Sequence, residues 1–343
     1  MRSCPYGSHR VISPKGTLPQ AATVLDNTMI ITDNELLIDV DILNIDSASF
    51  TQLKEAANHN KERLKVMITD IVNTQGKMQN PITKSGGMLI GTIAEIGPNF
   101  PDQTLRKGMS IATLVSLSLT PLTIEEIIDI NMDNEQVKII GKAIVFASGI
   151  YAVLPDYLSP KLSLAVLDVA GAPAQVHSLV KKDDTVLIIG AAGKSGLLSL
   201  VAAKQKAGIN GHVIGLVYEQ AHVALLKSLN LADTILCLDA TNALEVYRAV
   251  AEVTNQNLAD VTINVVNVGN TEMASILSTK QQGIVYFFSM ATSFTKAALG
   301  AEGVGKDVTM LIGNGYKANH ANIALKLIQD HEPLKQLFMK KYA

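Results

Sequence analysis

The stretch Thr185–Glu219, TVLIIGAAGKSGLLSLVAAKQKAGINGHVIGLVYE, constrains the fold of this chain more than any other. An apolar, β-branched run, Val186–Ile189, stops at a glycine turn in which Gly190, Gly193 and Gly196 stand three residues apart. An Ala/Leu-rich helical segment follows to Gly208, and a second apolar run covers His212–Val217. Strand, glycine turn, helix and strand in this order form the parallel unit that holds a dinucleotide. Gly190 permits the sharp turn, Gly193 lets backbone N–H groups approach a pyrophosphate, and Gly196 lets the helix pack closely on the sheet. The positive end of that helix favours the phosphates. The expected cofactor contacts here are Gly190, Ala192, Gly193, Lys194, Ser195 and Gly196. Gly193-Lys194-Ser195 imitates the end of a P-loop, but Ile188 stands where that motif needs its first glycine, which argues against nucleotide triphosphate hydrolysis.

The pattern continues downstream. Helix Glu219–Leu229, strand Thr234–Leu238, helix Ala243–Thr254, strand Val261–Val268, helix Thr271–Lys280, strand Gly283–Phe288 and strand Val308–Ile312 are expected. Strands alternating with helices of this length predict an α/β, doubly wound parallel sheet, with its ligand crevice at the strand carboxyl ends. The first half differs. Short β-like runs at Met29–Ile31, Leu36–Asn44, Met88–Ile96, Ser110–Leu117 and Gly141–Val145 are separated by turns such as Gly97-Pro98-Asn99. A mostly antiparallel, partly barrel-like domain is expected there. Leu158–Val180 reads as a helix pair, and helices are expected at His320–Asp330 and on to Tyr342.

At 343 residues about two domains are expected. Net charge is −2, which gives no general attraction to nucleic acid or to an anionic membrane. No apolar run is long enough to span a bilayer, and the polar N-terminal stretch is not a secretory signal. Cys4 and Cys237 form neither a disulfide framework nor a zinc module, so a reduced, cytoplasmic protein is expected.

A β domain before IIGAAGKSG and HVIG resembles the medium-chain dehydrogenase/reductase superfamily over nearly the whole chain. That resemblance implies a GroES-like domain over residues 1–155, completed by 315–343, and a Rossmann domain over 156–314. Zinc members of the superfamily hold a catalytic metal at three places. Here those places read VDILNID (Val40–Asp46), Gly86-Gly87-Met88 and Leu167–Gly171, with Ala170 at the third ligand position. None supplies a converging ligand, so no metal is expected. Longer motifs narrow the match: Cys4–Gln20, LNIDSASF (Leu43–Phe50), NPITKSGGMLIGT (Asn80–Thr92), FTKAALGAEGVGKD (Phe294–Asp307) and IGNGY (Ile312–Tyr316) resemble the L-erythro-3,5-diaminohexanoate dehydrogenase family of lysine fermentation. The resemblance implies oxidative deamination of a small diamino acid by NAD or NADP, and a homodimer paired near Val308–Ile312. The glycine pattern by itself stops at a dinucleotide oxidoreductase.

Taking hydride from a carbon that bears nitrogen requires a neutral amine, so a base must accept the ammonium proton, and water must hydrolyse the iminium. General bases are expected in a cleft between the domains. Asp46 and Ser47 follow an early strand and serve either as base and substrate ligand or as a helix cap. Asp168, in the apolar run Leu164–Ala170, is a second candidate base or ammonium ligand. Glu302 lies among Gly300, Gly303 and Gly305, in what reads as a flexible closing loop. Arg10, beside His9, suits a substrate carboxylate or a structural ion pair. Lys84 and Ser85, beside Gly86-Gly87, suit a carboxylate or water, and Tyr316 and His320 follow a glycine pair.

NAD sites carry an acid at the end of the second strand, roughly 20 residues beyond the glycines. Here Val217 fills that place, Tyr218 follows, and Glu219 stands two residues on; no Lys or Arg occupies 217–221. Tolerance of both dinucleotides is expected. Gly269, Asn270 and Ser289, after the fourth and fifth strands, are expected to line the nicotinamide end. Two alternatives remain: a zinc-free quinone or enoyl reductase of the same superfamily, and a non-catalytic dinucleotide-binding protein.

Overall fold

The computed structural model describes residues 3–342 except Val115, Asp133, Asn134, Met290 and Asn314, and the side chain of Ser47 lies outside the described residues. The chain divides into two compact units, Met1–Pro160 and Lys161–Ala343.

The first unit is antiparallel. A short hairpin of β1 (Val11–Ser13) and β2 (Val24–Leu25) precedes the long strand β3 (Glu35–Ile45). Helices α1 (Ser47–Ala56) and α2 (Lys61–Gln75) come next, followed by β4 (Gly87–Ile96), β5 (Ser110–Thr113), β6 (Leu122–Asn131), β7 (Gln136–Phe146) and β8 (Tyr151–Val153). The sheet order is β6-β7-β3-β4-β5-β8, and among the described residues no pairing joins β6 to β8. Central β3 buries Leu36, Ile38, Val40, Leu43 and Ile45, against which Phe50 and Leu53 of α1 and Leu64, Ile68 and Val72 of α2 pack. Each such side chain contributes roughly 1.5–3 kcal/mol by leaving water. The i, i+4 spacing of the α2 residues turns one face of that helix to the core. Met29–Ile31, expected as a strand, forms none. The run expected at Ser110–Leu117 ends at Thr113, and Leu117–Leu119 make a 3₁₀ turn.

The second unit opens with α3 (Pro160–Leu167) and α4 (Gly171–Leu179), the expected helix pair. Then β9 (Thr185–Ile189), α5 (Lys194–Ala207), β10 (His212–Val217), α6 (Gln220–Leu229), β11 (Thr234–Cys237) and α7 (Ala243–Val253) follow. The unit continues with β12 (Ala259–Asn264), α8 (Glu272–Leu277), β13 (Thr279–Phe287), α9 (Phe294–Gly303), β14 (Thr309–Ile312), α10 (His320–Gln329) and α11 (Glu332–Tyr342). All pairings are parallel and the order is β11-β10-β9-β12-β13-β14, so the order reverses between β9 and β12. That reversal opens a crevice at the strand carboxyl ends. Residues 315–343, expected to complete the first domain, fall in the second unit, where α10 packs on α4 and α5. Among the described residues no helix is long and apolar enough to cross a membrane.

Candidate cofactor site and active site

In the second unit the turn after β9 is shaped by two glycines. Gly190 has φ 88°, and a Cβ there would meet the Val266 nitrogen at 2.9 Å. A Cβ on Gly196 would lie 2.3 Å from the Gly190 carbonyl oxygen, so only glycine allows α5 to sit this close to the turn. Gly193 occupies the N-cap of α5 without a side chain to cap it, which leaves the first-turn N–H groups for an external acceptor. A cavity of about 550 Å³ opens at this place. Its wall comprises Gly190, Ala192 and Gly193 from the turn, Leu216–Tyr218 and His222 after β10, Leu238–Thr241 after β11, and Val265–Val268 after β12. The size and the uncapped turn fit a dinucleotide.

Several expected contacts differ in detail. Tyr218 lines the cavity, whereas Glu219 is the exposed N-cap residue of α6 and does not. Asn267 and Val268 line the β12 side in place of Gly269 and Asn270. Asn270 instead accepts a hydrogen bond of 2.5 Å from Lys296. Ser289 stands behind Asn267, 3.4 Å from its side-chain oxygen, and caps the Ala291 N–H. Asp239 was not foreseen, although its place at the end of the third parallel strand is where such ligands gather. Its carboxyl is held below the usual range by hydrogen bonds from the Thr241 N–H (2.8 Å) and hydroxyl (2.7 Å). Asn264 is another such hub. Fully buried, it donates to Thr271 Oγ1 at 2.8 Å and Ser275 Oγ at 2.9 Å and accepts from the Val266 N–H, which fixes the β12–α8 loop.

Two expected catalytic or substrate groups, Arg10 and Asp168, are engaged in ion pairs. Arg10 is buried, and each arm of its guanidinium is committed. Nε and Nη2 each lie 2.7 Å from a Glu35 carboxylate oxygen, while Nη1 donates to Thr28 O and Nη2 also to Ile30 O. Burial raises the Glu35 pKa, but Arg10 and the Thr32 N–H overcome this and hold the carboxyl below its ordinary value. Breaking such a buried pair costs about 3–5 kcal/mol, so the structure holds Arg10 in a structural ion pair. Asp168 follows α3 and is ion-paired with Lys194. Glu302 is exposed near the end of α9, a regular helix begun by the Ser293 cap, and not in a flexible loop. Tyr316 sits edge-on to His320, 5.3 Å between ring centroids.

The first unit brings the remaining candidates together. Ile45 pairs with Gly87 across β3 and β4, and the Asp46 N–H donates to Gly86 O at 3.3 Å. Asp46 caps α1, with Oδ1 accepting the Ser49 N–H at 3.0 Å. Its other oxygen, Oδ2, is buried and has no hydrogen-bond partner among the described residues. In the same unit three hydroxyls form a closed triangle: Ser49 to Thr83 at 2.6 Å, Ser49 to Ser85 at 2.8 Å and Ser85 to Thr83 at 3.1 Å. Asn80 ties this loop to α1 through Gln52 Oε1 (2.8 Å) and Ser49 O (3.2 Å). Lys84 is exposed, with a left-handed φ of 61°. Ser47 starts α1, but its side chain lies outside the described residues. A buried carboxylate oxygen without a partner carries a desolvation cost that a hydrogen-bond donor would relieve. Among the described residues no three His, Cys, Asp or Glu side chains converge as a metal site requires.

The family profile described as "L-erythro-3,5-diaminohexanoate dehydrogenase N-terminal domain" matches residues 9–155. A relative of the same enzyme name from Acetoanaerobium sticklandii is 54% identical over 343 residues, covering 100% of both chains. The chain belongs to the L-erythro-3,5-diaminohexanoate dehydrogenase family. A second member of the family, from Fusobacterium nucleatum subsp. nucleatum, is 54% identical over 342 residues and 99% of both chains. Among solved structures, an alcohol dehydrogenase from Thermotoga maritima superposes with a TM-score of 0.57 at 14% identity, covering 91% of this chain and 85% of that one. That likeness supports the expected α/β class: a Rossmann sheet joined in one chain to an antiparallel β domain.

Proposed function

We propose that this chain oxidatively deaminates L-erythro-3,5-diaminohexanoate to 5-amino-3-oxohexanoate, releasing ammonia. The observation that carries the reading is the 54% identity over the full length of enzymes so named. The cavity beside the Gly190–Gly196 turn supports the dinucleotide part independently. When bound, the oxidised nicotinamide supplies the acceptor for the hydride that leaves C3. The turn Gly190–Gly196, with Ala192, Gly193, Lys194 and Ser195, would hold its pyrophosphate, and Tyr218, His222 and Asp239 of the cavity wall would be available to its other end.

Asp46 handles the proton. Its Oδ2 accepts a hydrogen bond from the C3 ammonium and then takes one proton, leaving a neutral amine whose lone pair can form the C=N bond. Ser49, Thr83 and Ser85 offer polar groups to the water that adds to the iminium. Collapse of that adduct expels ammonia and leaves the ketone. The Asp46 proton returns to solvent, so one diamino acid, one oxidised dinucleotide and one water give ketone, ammonium, reduced dinucleotide and one proton.

Both NAD and NADP are read as acceptors: among the described residues no Lys or Arg lines the cavity to select a 2′-phosphate, and Val217 fills the place of the usual acidic selector. The test is the absorbance of reduced nicotinamide, followed with L-erythro-3,5-diaminohexanoate and each dinucleotide beside an ammonia assay. Equimolar ammonia and reduced cofactor are expected. Reduction with neither dinucleotide, or oxidation of reduced cofactor by an enoyl or quinone substrate alone, removes the reading.

A homodimer completes it. Strand β14 is an edge strand that carries the apolar Met310, Leu311 and Ile312, with Ile312 62% exposed, and such an edge needs covering. Light scattering should give twice the chain mass; the mass of one chain at micromolar concentration removes this part.

A further inference from the structure

The residue that begins α5 is Lys194, directly after the N-cap Gly193 that lines the cofactor cavity. The first turn of α5 holds no acidic residue, and among the described residues the cavity wall holds no Lys or Arg. Lys194 is therefore the cation that the sequence places nearest the pyrophosphate turn. Its ammonium group is already occupied by the carboxylate of Asp168, which follows α3. The Tyr342 ring of α11 flanks it, with its centroid 5.8 Å from Nζ. Both ends of the ion pair remain partly open to solvent, at 44% for Asp168 and 31% for Lys194, so the partners can exchange without unpacking a core.

We infer that Asp168 is the counter-ion that holds Lys194 back from the cofactor phosphates, and that dinucleotide binding requires Lys194 to change partner from carboxylate to pyrophosphate. The inference rests on the dinucleotide reading above and gives Asp168 a positioning role in place of a catalytic one. A pyrophosphate carries two negative charges against one for the carboxylate, and its site at the start of α5 adds the positive end of the helix dipole. The exchange therefore runs toward the cofactor when one is bound. In the empty protein the aspartate lowers dinucleotide affinity, because its bond to the lysine must be given up. An exposed pair of this kind shifts an equilibrium by about two- to fivefold.

The test is a double-mutant cycle read as dissociation constants, using the fluorescence of reduced nicotinamide at low salt. Asp168→Asn keeps the side-chain shape and removes the charge; it should tighten NADH and NADPH binding by about two- to fivefold. Lys194→Met should weaken both by a similar factor. The double variant should behave as Lys194→Met, because without the lysine the aspartate has nothing to restrain. Added salt should compress the differences. A purely structural role would move the two single variants in the same direction. The inference is overturned if Asp168→Asn binds no tighter than the wild type, or if its gain survives in the double variant. Failure of the wild type to bind either dinucleotide would instead remove the dinucleotide reading itself.

Discussion

Replacing Asp46 with asparagine should lower kcat/KM for the diamino acid by about 100- to 10,000-fold, the range expected for loss of a positioned proton acceptor. The choice of asparagine separates two roles that one side chain performs. Asp46 caps α1 through Oδ1, and asparagine caps a helix as well as aspartate does. Stability should therefore stay nearly constant while turnover collapses. Asp46→Ala should lose turnover and also about 1 kcal/mol of stability, because the Ser49 N–H then lacks its acceptor. Dinucleotide affinity, which depends on the second unit, should not change in either variant. Near-normal turnover in Asp46→Asn, with an intact melting transition, would end the assignment of the orphan oxygen as the proton acceptor.

A second large effect should come from Lys77, which the reading of the sequence did not single out. Its side chain is fully buried, and its ammonium group donates to two backbone carbonyls, Pro19 O at 2.8 Å and Gln20 O at 3.5 Å. Burial away from water pushes its pKa down from 10.5 to about 8. Below about pH 8 the lysine is protonated in both folded and unfolded chains, and the folded state bears the whole cost of the buried charge. As pH rises from about 8 to 10.5, the folded lysine gives up its proton while the unfolded one keeps it. The unfolded state then binds more protons, so this group's contribution to stability increases with pH, by roughly 3 kcal/mol in all, and levels off above 10.5. Urea unfolding of the wild type and of Lys77→Met between pH 7 and pH 10 isolates the effect, because other titrating groups are common to both. The stability difference should move toward the wild type by about 2–3 kcal/mol over that span. Parallel curves would show that the buried nitrogen does not change its charge in this range.

The second unit was the more legible in sequence. Parallel strands buried on both faces read as continuous apolar runs, and Val186–Ile189 is fully buried. Strand β6 was harder for a physical reason. Its sequence, LTIEEIIDIN, does not alternate regularly, and its register against β7 shifts between Ile124 and Glu126 and again between Ile127 and Asp129. Each irregularity changes which residues face the core and destroys the period of two. Helix α9 was read as a loop because of Gly300 and Gly303, although its buried Ala297 and Ala301 stand four apart after the Ser293 cap.

Site residues divided along the same line. The glycine turn is local, so its geometry follows from spacing. Asp46 as a cap, three residues before Ser49, is local too. The fates of Arg10 and Asp168 were decided by Glu35 and Lys194, partners 25 and 26 residues away, and no local pattern announces such a pairing. The unpartnered state of Asp46 Oδ2 is likewise a property of the whole loop cluster around it and not of any motif.

The topology of the first unit bears on how the nascent chain must mature. Its central strand, β3, hydrogen-bonds to β7 in a register that joins Glu35 to Phe146 and Asn44 to Gln136. At typical synthesis rates, roughly 5–20 s pass between the appearance of one strand and the other. Through that interval Leu36, Ile38, Val40 and Leu43 wait with one edge open, while the parallel units encoded later meet several of their neighbours within a few dozen residues. Ribosome-bound chains stalled before residue 136 therefore carry the apolar face of β3 without one of its partners, and chaperone capture should include that segment.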